Sequence, residues 1–364
     1  MPKYKSYLVN AGVSVISLVF ILLFCELVVF RFIWPASDVP YNDFAGGLVR
    51  YAPHQTGIWR IRNEIAAPYA INAQGWNSGI GDYRLDKPAG TLRIAVVGDS
   101  YVEALQVAHN RSLGERLAAA LAHDGQRIEV YRFGISGAPL SQYVNMIERE
   151  VARYRPDLII VLTVHNDFTE SFEFVPGRYT SSFLKLRVED KQVTGEIPPL
   201  PWTASSTEWL RHTASVRFFY YRWLIRPENL KNFITSAYAE AGGFSANIDT
   251  SRILALREEI NAVTNYTFER IAAAAQAMGA RLLITMDGDR GAIYQGNADS
   301  AALVLNRIAA NSARQHGIPF VDLHPAFRAD WQANSSRFDF ENDGHWNEHG
   351  HAVAAQAIAE ALAR

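Results

Sequence analysis

Ser100, His345 and Asp343 are the side chains whose types fit nucleophilic catalysis in this sequence. Ser100 follows the apolar run Ile94-Ala95-Val96-Val97 in Gly98-Asp99-Ser100, so a small hydroxyl residue is presented where a strand stops. A serine hydroxyl ionises far above neutrality. It needs an imidazole to take its proton, and the imidazole needs an acceptor to fix its tautomer. His345 and Asp343, together in Asn342-Asp343-Gly344-His345-Trp346, can supply both from one loop. Acyl transfer also requires donors aimed at the developing oxyanion, each worth about 10²- to 10³-fold in rate. Gly137, in Ile135-Ser136-Gly137-Ala138, lets a backbone N–H approach a ligand closely, and Asn166, in Val164-His165-Asn166-Asp167, carries a donating amide.

These stretches do chemistry together only if the fold gathers them at one edge. From Thr91 onward strands alternate with helices: a buried strand over Leu92 to Val97, a helix over Ser112 to His123, and a strand over Arg127 to Phe133. A helix over Ser141 to Tyr154 ends before Pro156, and Asp157 to Val164 is a third, nearly all-aliphatic strand. After an interruption come a helix over Ser251 to Met278, the strand Arg281 to Met286, a helix over Ser300 to His316, the strand Ile318 to Leu323 and a final helix over Glu348 to Leu362. Such alternation implies right-handed crossovers and a parallel sheet covered on both faces. The expected fold is α/β, a flavodoxin-like three-layer α/β/α sandwich with about five parallel strands. All four candidate stretches then follow strands at its carboxyl edge, where such folds bind ligands.

Gly98-Asp99-Ser100, Gly137, Asn166 and the late Asp/His loop stand in the order of the four blocks of the SGNH hydrolase superfamily, the GDSL esterases and lipases, which the chain resembles from about Leu92 to its end. The resemblance implies Ser100 as nucleophile and His345 as general base. It further implies an oxyanion hole of the Ser100 and Gly137 N–H groups with the Asn166 side chain, and Asp343 as the residue orienting His345. One departure stands out. The usual spacing is Asp-x-x-His, but Asn342 occupies that position and Asp343 is two residues before the histidine, so Asn342 or a backbone carbonyl also competes for the orienting role. Asp99 reads as a helix cap and Asp167 as structural.

The N-terminus supplies a location. Lys3 and Lys5 precede the apolar run Tyr7 to Cys25, which as a helix extends about 28 Å, close to a bilayer core. Glu26 and Arg31 follow among apolar residues, Trp34 suits the far interface, and Pro35 stops the helix. The expectation is a single-pass anchor in a bacterial cytoplasmic membrane, with the remainder extracytoplasmic. A cleaved signal peptide fits less well, because the apolar run is long and Pro35-Ala36-Ser37 is a poor cleavage site. The expected organisation is an anchor over 1–36, an irregular connection over 37–90 and a catalytic domain over 91–364.

An insertion at about 169–250 interrupts that domain. It contains a hairpin around Glu189-Asp190-Lys191 and an aromatic helix over Trp209 to Arg226. Its position after the third strand suggests a lid over the sheet edge, while the aromatic stripe reads as core.

Other functions fit less well. A formal net charge of −2 with mixed signs gives no basic face for nucleic acid. The single cysteine, Cys25, excludes an intrachain disulfide. Asp343, His345, Glu348, His349 and His351 could suggest a metal, but they lack the His-Glu-x-x-His pattern; His349 and His351 read as surface residues at a helix start. No cofactor is expected. A membrane-tethered glycan-binding module on the same fold has no need of serine, histidine and oxyanion donors together. The expected activity is a serine-dependent esterase. By resemblance to anchored family members its substrate is an acylated, above all acetylated, exported glycan, with transfer to a sugar hydroxyl as the alternative to hydrolysis.

Overall fold

Five aliphatic strands organise the chain: β1 (Thr91–Gly98), β2 (Arg127–Gly134), β3 (Leu158–Thr163), β4 (Arg281–Met286) and β5 (Phe320–Asp322). In this computed structural model, which describes residues 3–122, 127–226, 244–245, 248–297 and 300–363, they form one sheet in the order β5-β4-β3-β1-β2. Every pairing is parallel, with Val97 beside Val161 and Gly98 beside Gly134. Read from β2, this is the flavodoxin-like order 2-1-3-4-5, in which the winding reverses between β1 and β3. Ser100 and the Val164-His165-Asn166 turn emerge on either side of that point.

The strand sequences match this burial. Ile159, Ile160, Val161 and Leu162 are all inaccessible, as expected for a strand covered on both faces. On one face Ile94, Val96, Ile160 and Leu162 share a core with Leu113 and Leu117 of the helix Leu113–Leu121 and with Ala354 and Ile358 of the helix Glu348–Leu362. Burying an aliphatic side chain of this size contributes about 1.5–3 kcal/mol. The helices Leu140–Arg149, Arg257–Met278 and Val304–Gln315 form the opposite layer.

The chain divides into two compact units. One, comprising Pro40–Gly57, Ala67–Thr203 and Ala241–Arg364, holds the sheet. The other comprises Met1–Val39, Ile58–Ala66 and Ala204–Glu240. It is built on the helix Lys3–Phe24 and its wider-wound continuation Cys25–Ile33, in which Tyr7–Ile33 is long and apolar enough to cross a membrane.

Four elements depart from expectation. The aromatic helix is three separate turns, Glu208–Arg211, Ala214–Val216 and Arg217–Arg222. Thr213 breaks it by adopting extended backbone and capping the next turn with its hydroxyl. The helix expected over Ser251 to Met278 is likewise interrupted at Leu256. The hairpin Lys185–Glu189/Gln192–Ile197 forms, but it packs on the helices Leu140–Arg149 and Arg257–Met278, so this part of the insertion is not a lid. An additional helix, His324–Asn334, begins with proline in its first turn, a start signal that the hydrophobic pattern alone does not reveal. The expected helix end at His123 and the insertion residues 227–243 lie outside the described residues.

One glycine admits the turn that carries Ser100. A Cβ on Gly134 would stand 2.3 Å from Glu103 N and 2.8 Å from Asp99 O, both backbone atoms. Gly134→Ala is therefore expected to destabilise the protein by at least about 1–3 kcal/mol, the range for overpacking, and thermal unfolding would measure it.

Candidate active site

The turn after β1 places Ser100 at the start of the one-turn helix Ser100–Glu103. Asp99 caps this helix: one carboxylate oxygen accepts the Tyr101 N–H at 2.9 Å, and the other lies 3.2 Å from Ser100 Oγ. His345, 245 residues further along, brings Nε2 to 2.7 Å from Ser100 Oγ. Its other ring nitrogen, Nδ1, meets Asp343 Oδ1. That same oxygen accepts the His345 backbone N–H at 2.9 Å. The carboxylate thus folds back over its own loop as an Asx turn, which is how a two-residue spacing reaches the imidazole. With Nδ1–H donating to Asp343, Nε2 presents its lone pair to the Ser100 hydroxyl.

Charge follows geometry. Burial works to lower the pKa of His345, but the charge and hydrogen bond of Asp343, with the more distant Asp99 and Glu103, hold it above the ordinary 6.5. For Asp343 burial works upward and the imidazole outweighs it, keeping the carboxyl below its ordinary 3.8. Asp99 is raised by burial.

The candidate oxyanion donors stand at the same sheet edge. Gly137 adopts φ +75°, which favours glycine although a Cβ there would meet nothing within 4 Å. Its N–H has no partner among the described residues. Asn166 donates one amide hydrogen to Glu170 Oε1 at 3.1 Å, and its second remains for another acceptor. Asp167 is structural: fully buried, it accepts the Val164 N–H and the Tyr143 hydroxyl, both at 2.8 Å.

Several supporting residues escape sequence reasoning. Glu103 is buried and accepts the Tyr51 hydroxyl at 2.5 Å and the Ser136 N–H at 3.1 Å. It therefore ties the helix carrying Ser100 to the loop carrying Gly137, and burial pushes its carboxyl up to about 7. A lone carboxylate inside Val102-Glu103-Ala104-Leu105 is the signal that could have found it. Gln106 Nε2 lies 3.2 Å from His345 Nδ1 and hydrogen-bonds Asp343. From the far side, Arg290 donates to the Tyr101 hydroxyl at 2.6 Å, and that hydroxyl donates to Gly344 O at 3.0 Å. Asp287 pairs with Arg290 at 3.4 Å and accepts the Trp346 indole N–H at 3.1 Å. The loop bearing His345 is thereby pinned on both sides of the histidine.

The residues that could suggest a metal go to different partners. His349 Nε2 lies 2.6 Å from Asp330 Oδ1. His351 corrects a surface expectation: it is buried edge-on against Trp346, and burial pushes its pKa down to about 3. Asn347 caps this helix by accepting the His349 and Gly350 N–H groups, which turns His351 inward. Among the described residues no group of three or more His, Cys, Asp or Glu is placed to hold a metal ion. A groove of about 580 Å³ begins at Asn166 and continues past Glu170, Glu173 and Phe174 to Asp249 and Arg252. The two ends of the insertion thus border the sheet edge, and its hairpin reaches the same groove wall through Lys185, which donates to Glu170 O and to Glu173 O.

Two outcomes follow from this geometry. In an NMR titration the His345 imidazole should lose its proton above pH 6.5, and Asp343→Asn should move that midpoint downward by removing the charge that favours the imidazolium. Tyr51→Phe, which leaves Glu103 its Ser136 partner, should preserve the fold but cost about 1–3 kcal/mol through a buried carboxyl losing one donor, read by denaturant unfolding.

Residues 96–353 match the GDSL-like Lipase/Acylhydrolase family. No curated protein matches the chain. Similar solved structures include an α/β hydrolase from the metagenome of Lake Arreo, Spain, at 13% identity over 74% of this chain and 94% of that one, with a TM-score of 0.42. Another belongs to the lipolytic G-D-S-L family of Veillonella parvula, at 13% identity, 75% and 98% coverage and a TM-score of 0.38. A third is a catalytic mutant of an acetylxylan esterase from Geobacillus stearothermophilus, at 12% identity, 75% and 94% coverage and a TM-score of 0.40. With the family match covering Ser100, Gly137, Asn166 and His345 alike, the chain belongs to the GDSL-like lipase/acylhydrolase family and is an ester-hydrolysing enzyme.

Proposed function

We propose that this enzyme cleaves O-acyl groups, above all acetyl, from extracytoplasmic carbohydrate through an acyl-Ser100 intermediate. The observation that carries the catalytic assignment is the 2.7 Å approach of His345 Nε2 to Ser100 Oγ, with Asp343 on the opposite ring nitrogen. His345 takes the hydroxyl proton as Ser100 Oγ attacks the ester carbonyl. The oxyanion is received by the N–H groups of Ser100 and Gly137 and the amide of Asn166. As it collapses, the bond to the alcohol breaks and His345 returns the proton to the departing oxygen. A water then attacks the acyl-serine in the same manner and releases the acid.

The groove supports a short acyl group and a polar alcohol. Burying a long alkyl chain against Glu170, Glu173, Asp249 and Arg252 would desolvate charges with nothing in exchange, whereas sugar hydroxyls can hydrogen-bond them and the exposed Phe174 ring can stack on a sugar face. The extracytoplasmic location is supported by the candidate span Tyr7–Ile33 with Lys3 and Lys5 before it. The open groove also favours a second reading, O-acetyl transfer, in which a bound sugar hydroxyl replaces water in the second step. A purely glycan-binding role leaves the Ser100–His345–Asp343 line without a purpose.

Ser100→Ala should lower acetate release from 4-nitrophenyl acetate and from acetylated polysaccharide by up to about 10⁶-fold, and equal turnover by both proteins would refute the mechanism. Because His345 stays protonated above pH 6.5, kcat/KM should rise with pH at a midpoint above that value. A flat profile from pH 5 to 8, with acylation limiting, would exclude an imidazole base. Adding a glycan acceptor separates the two readings, since transfer yields acetylated acceptor and hydrolysis yields free acetate alone.

A further inference from the structure

The aromatic stretch of the insertion packs against the apolar N-terminal helix within one compact unit. Phe218 stacks on Phe30 of the apolar helix with ring centroids 4.4 Å apart, and Phe219 meets the same ring edge-on at 5.4 Å. Phe30, Ala36, Ala214 and Phe218 form a small core of their own, with Cys25 and Val29 against it. Polar contacts fix the register of this docking. Glu26, a carboxylate inside the apolar span, accepts the Ala214 N–H at 2.6 Å, the Ser215 N–H at 2.8 Å and the Ser215 hydroxyl at 2.7 Å. Arg222 donates to Pro35 O at 2.5 Å, and Arg217 pairs with Asp38 at 2.6 Å. A carboxylate at the end of an apolar run is costly unless satisfied, and here the insertion satisfies it together with Arg31, 3.7 Å away.

The level of Glu26 along the helix decides what surrounds the docked segment. Tyr7 to Cys25 extends about 28 Å as a helix, which fills a hydrocarbon core of about 30 Å. Glu26 therefore begins the headgroup layer, and the segment held by it lies at that depth. Its outward side chains suit that layer poorly to water and well to lipid: Trp209 is 65% exposed, Ile225 62% and Leu210 40%, with Trp34 on the helix itself 61% exposed. Tryptophans and arginines interleaved with aliphatics are the composition of a membrane interface.

We propose that Trp209 to Ile225 is an interfacial collar, lying in the lipid headgroup layer around the outer end of the span and making a second contact with the bilayer. This rests on the reading that Tyr7–Ile33 crosses a membrane. The test uses the full chain with Cys25→Ser, carrying one nitroxide-labelled cysteine at a time, in phosphatidylcholine/phosphatidylglycerol vesicles. Leu210→Cys and Ile225→Cys probe the collar, Phe20→Cys the span and Leu85→Cys an exposed site outside this unit. Collision with oxygen and with a water-soluble nickel chelate reports depth. The collar labels should meet the nickel chelate several-fold less often than Leu85→Cys while still meeting oxygen, at a depth shallower than Phe20→Cys.

Nickel access equal to that at Leu85→Cys, with Phe20→Cys deep, would overturn the collar and leave the span intact. Aqueous access at Phe20→Cys would overturn both. Exclusion of oxygen and nickel alike at the collar would mean a protein partner in place of lipid, and would also overturn it. Adding Glu26→Ala should raise nickel access at Leu210→Cys, because the segment loses the carboxylate that holds it. An unchanged depth there would overturn the docking through Glu26.

Discussion

The imidazole of His345 is held from both sides, by Ser100 Oγ at Nε2 and by Asp343 at Nδ1, and most of the surrounding structure serves that placement. A ring with two hydrogen bonds in line has little rotational freedom, so its position is set by the two loops that carry its partners. One loop is the turn after β1, seated over Gly134 where no side chain would fit. The other is the approach to the last helix, fixed through Tyr101, Arg290, Asp287 and Trp346. Tyr101 belongs to the first loop and reaches the second, so the serine and the histidine are positioned by neighbouring residues of one network.

That network is costly in electrostatic terms. Asp99, Glu103 and Asp287 are buried carboxyls whose pKa values burial raises, and the charges of Asp99 and Glu103 favour a protonated histidine. In the proposed mechanism the imidazolium is transient and forms as the tetrahedral species forms, so the field is strongest where positive charge develops. Each carboxyl is compensated by donors that also have positioning work: Tyr101 N–H for Asp99, Tyr51 and Ser136 for Glu103, Trp346 and Gly288 for Asp287. The segment before the first sheet strand, which carries Tyr51 and shows no chemistry in its own sequence, thereby joins the support of the site.

The same logic of satisfied burial operates in the second unit. Glu26 stands among apolar residues of the helix because the turn at Ala214 and Ser215 meets it with three donors, with Arg31 3.7 Å away beside it. The aromatics beside that turn are divided, Phe218 facing inward as core and Trp209 facing outward. Reading the stripe as core holds for the first and fails for the second.

Hydrophobic periodicity and the order of the short motifs determined the fold class, the five strands, the apolar span and the residues most suited to nucleophilic chemistry, because each depends on local propensity or on residue type. Only the tertiary structure decided that Asp343, and not Asn342, lies beside His345, since an Asx turn is set by backbone path and not by spacing. It also decided the partners of Glu103 and Gln106, which stand 52 and 239 residues from the groups they meet, distances over which no pattern in the chain carries information. His351 departs from expectation for the same reason: a polar side chain near a helix start is exposed by default, and only packing against Trp346 turns it inward.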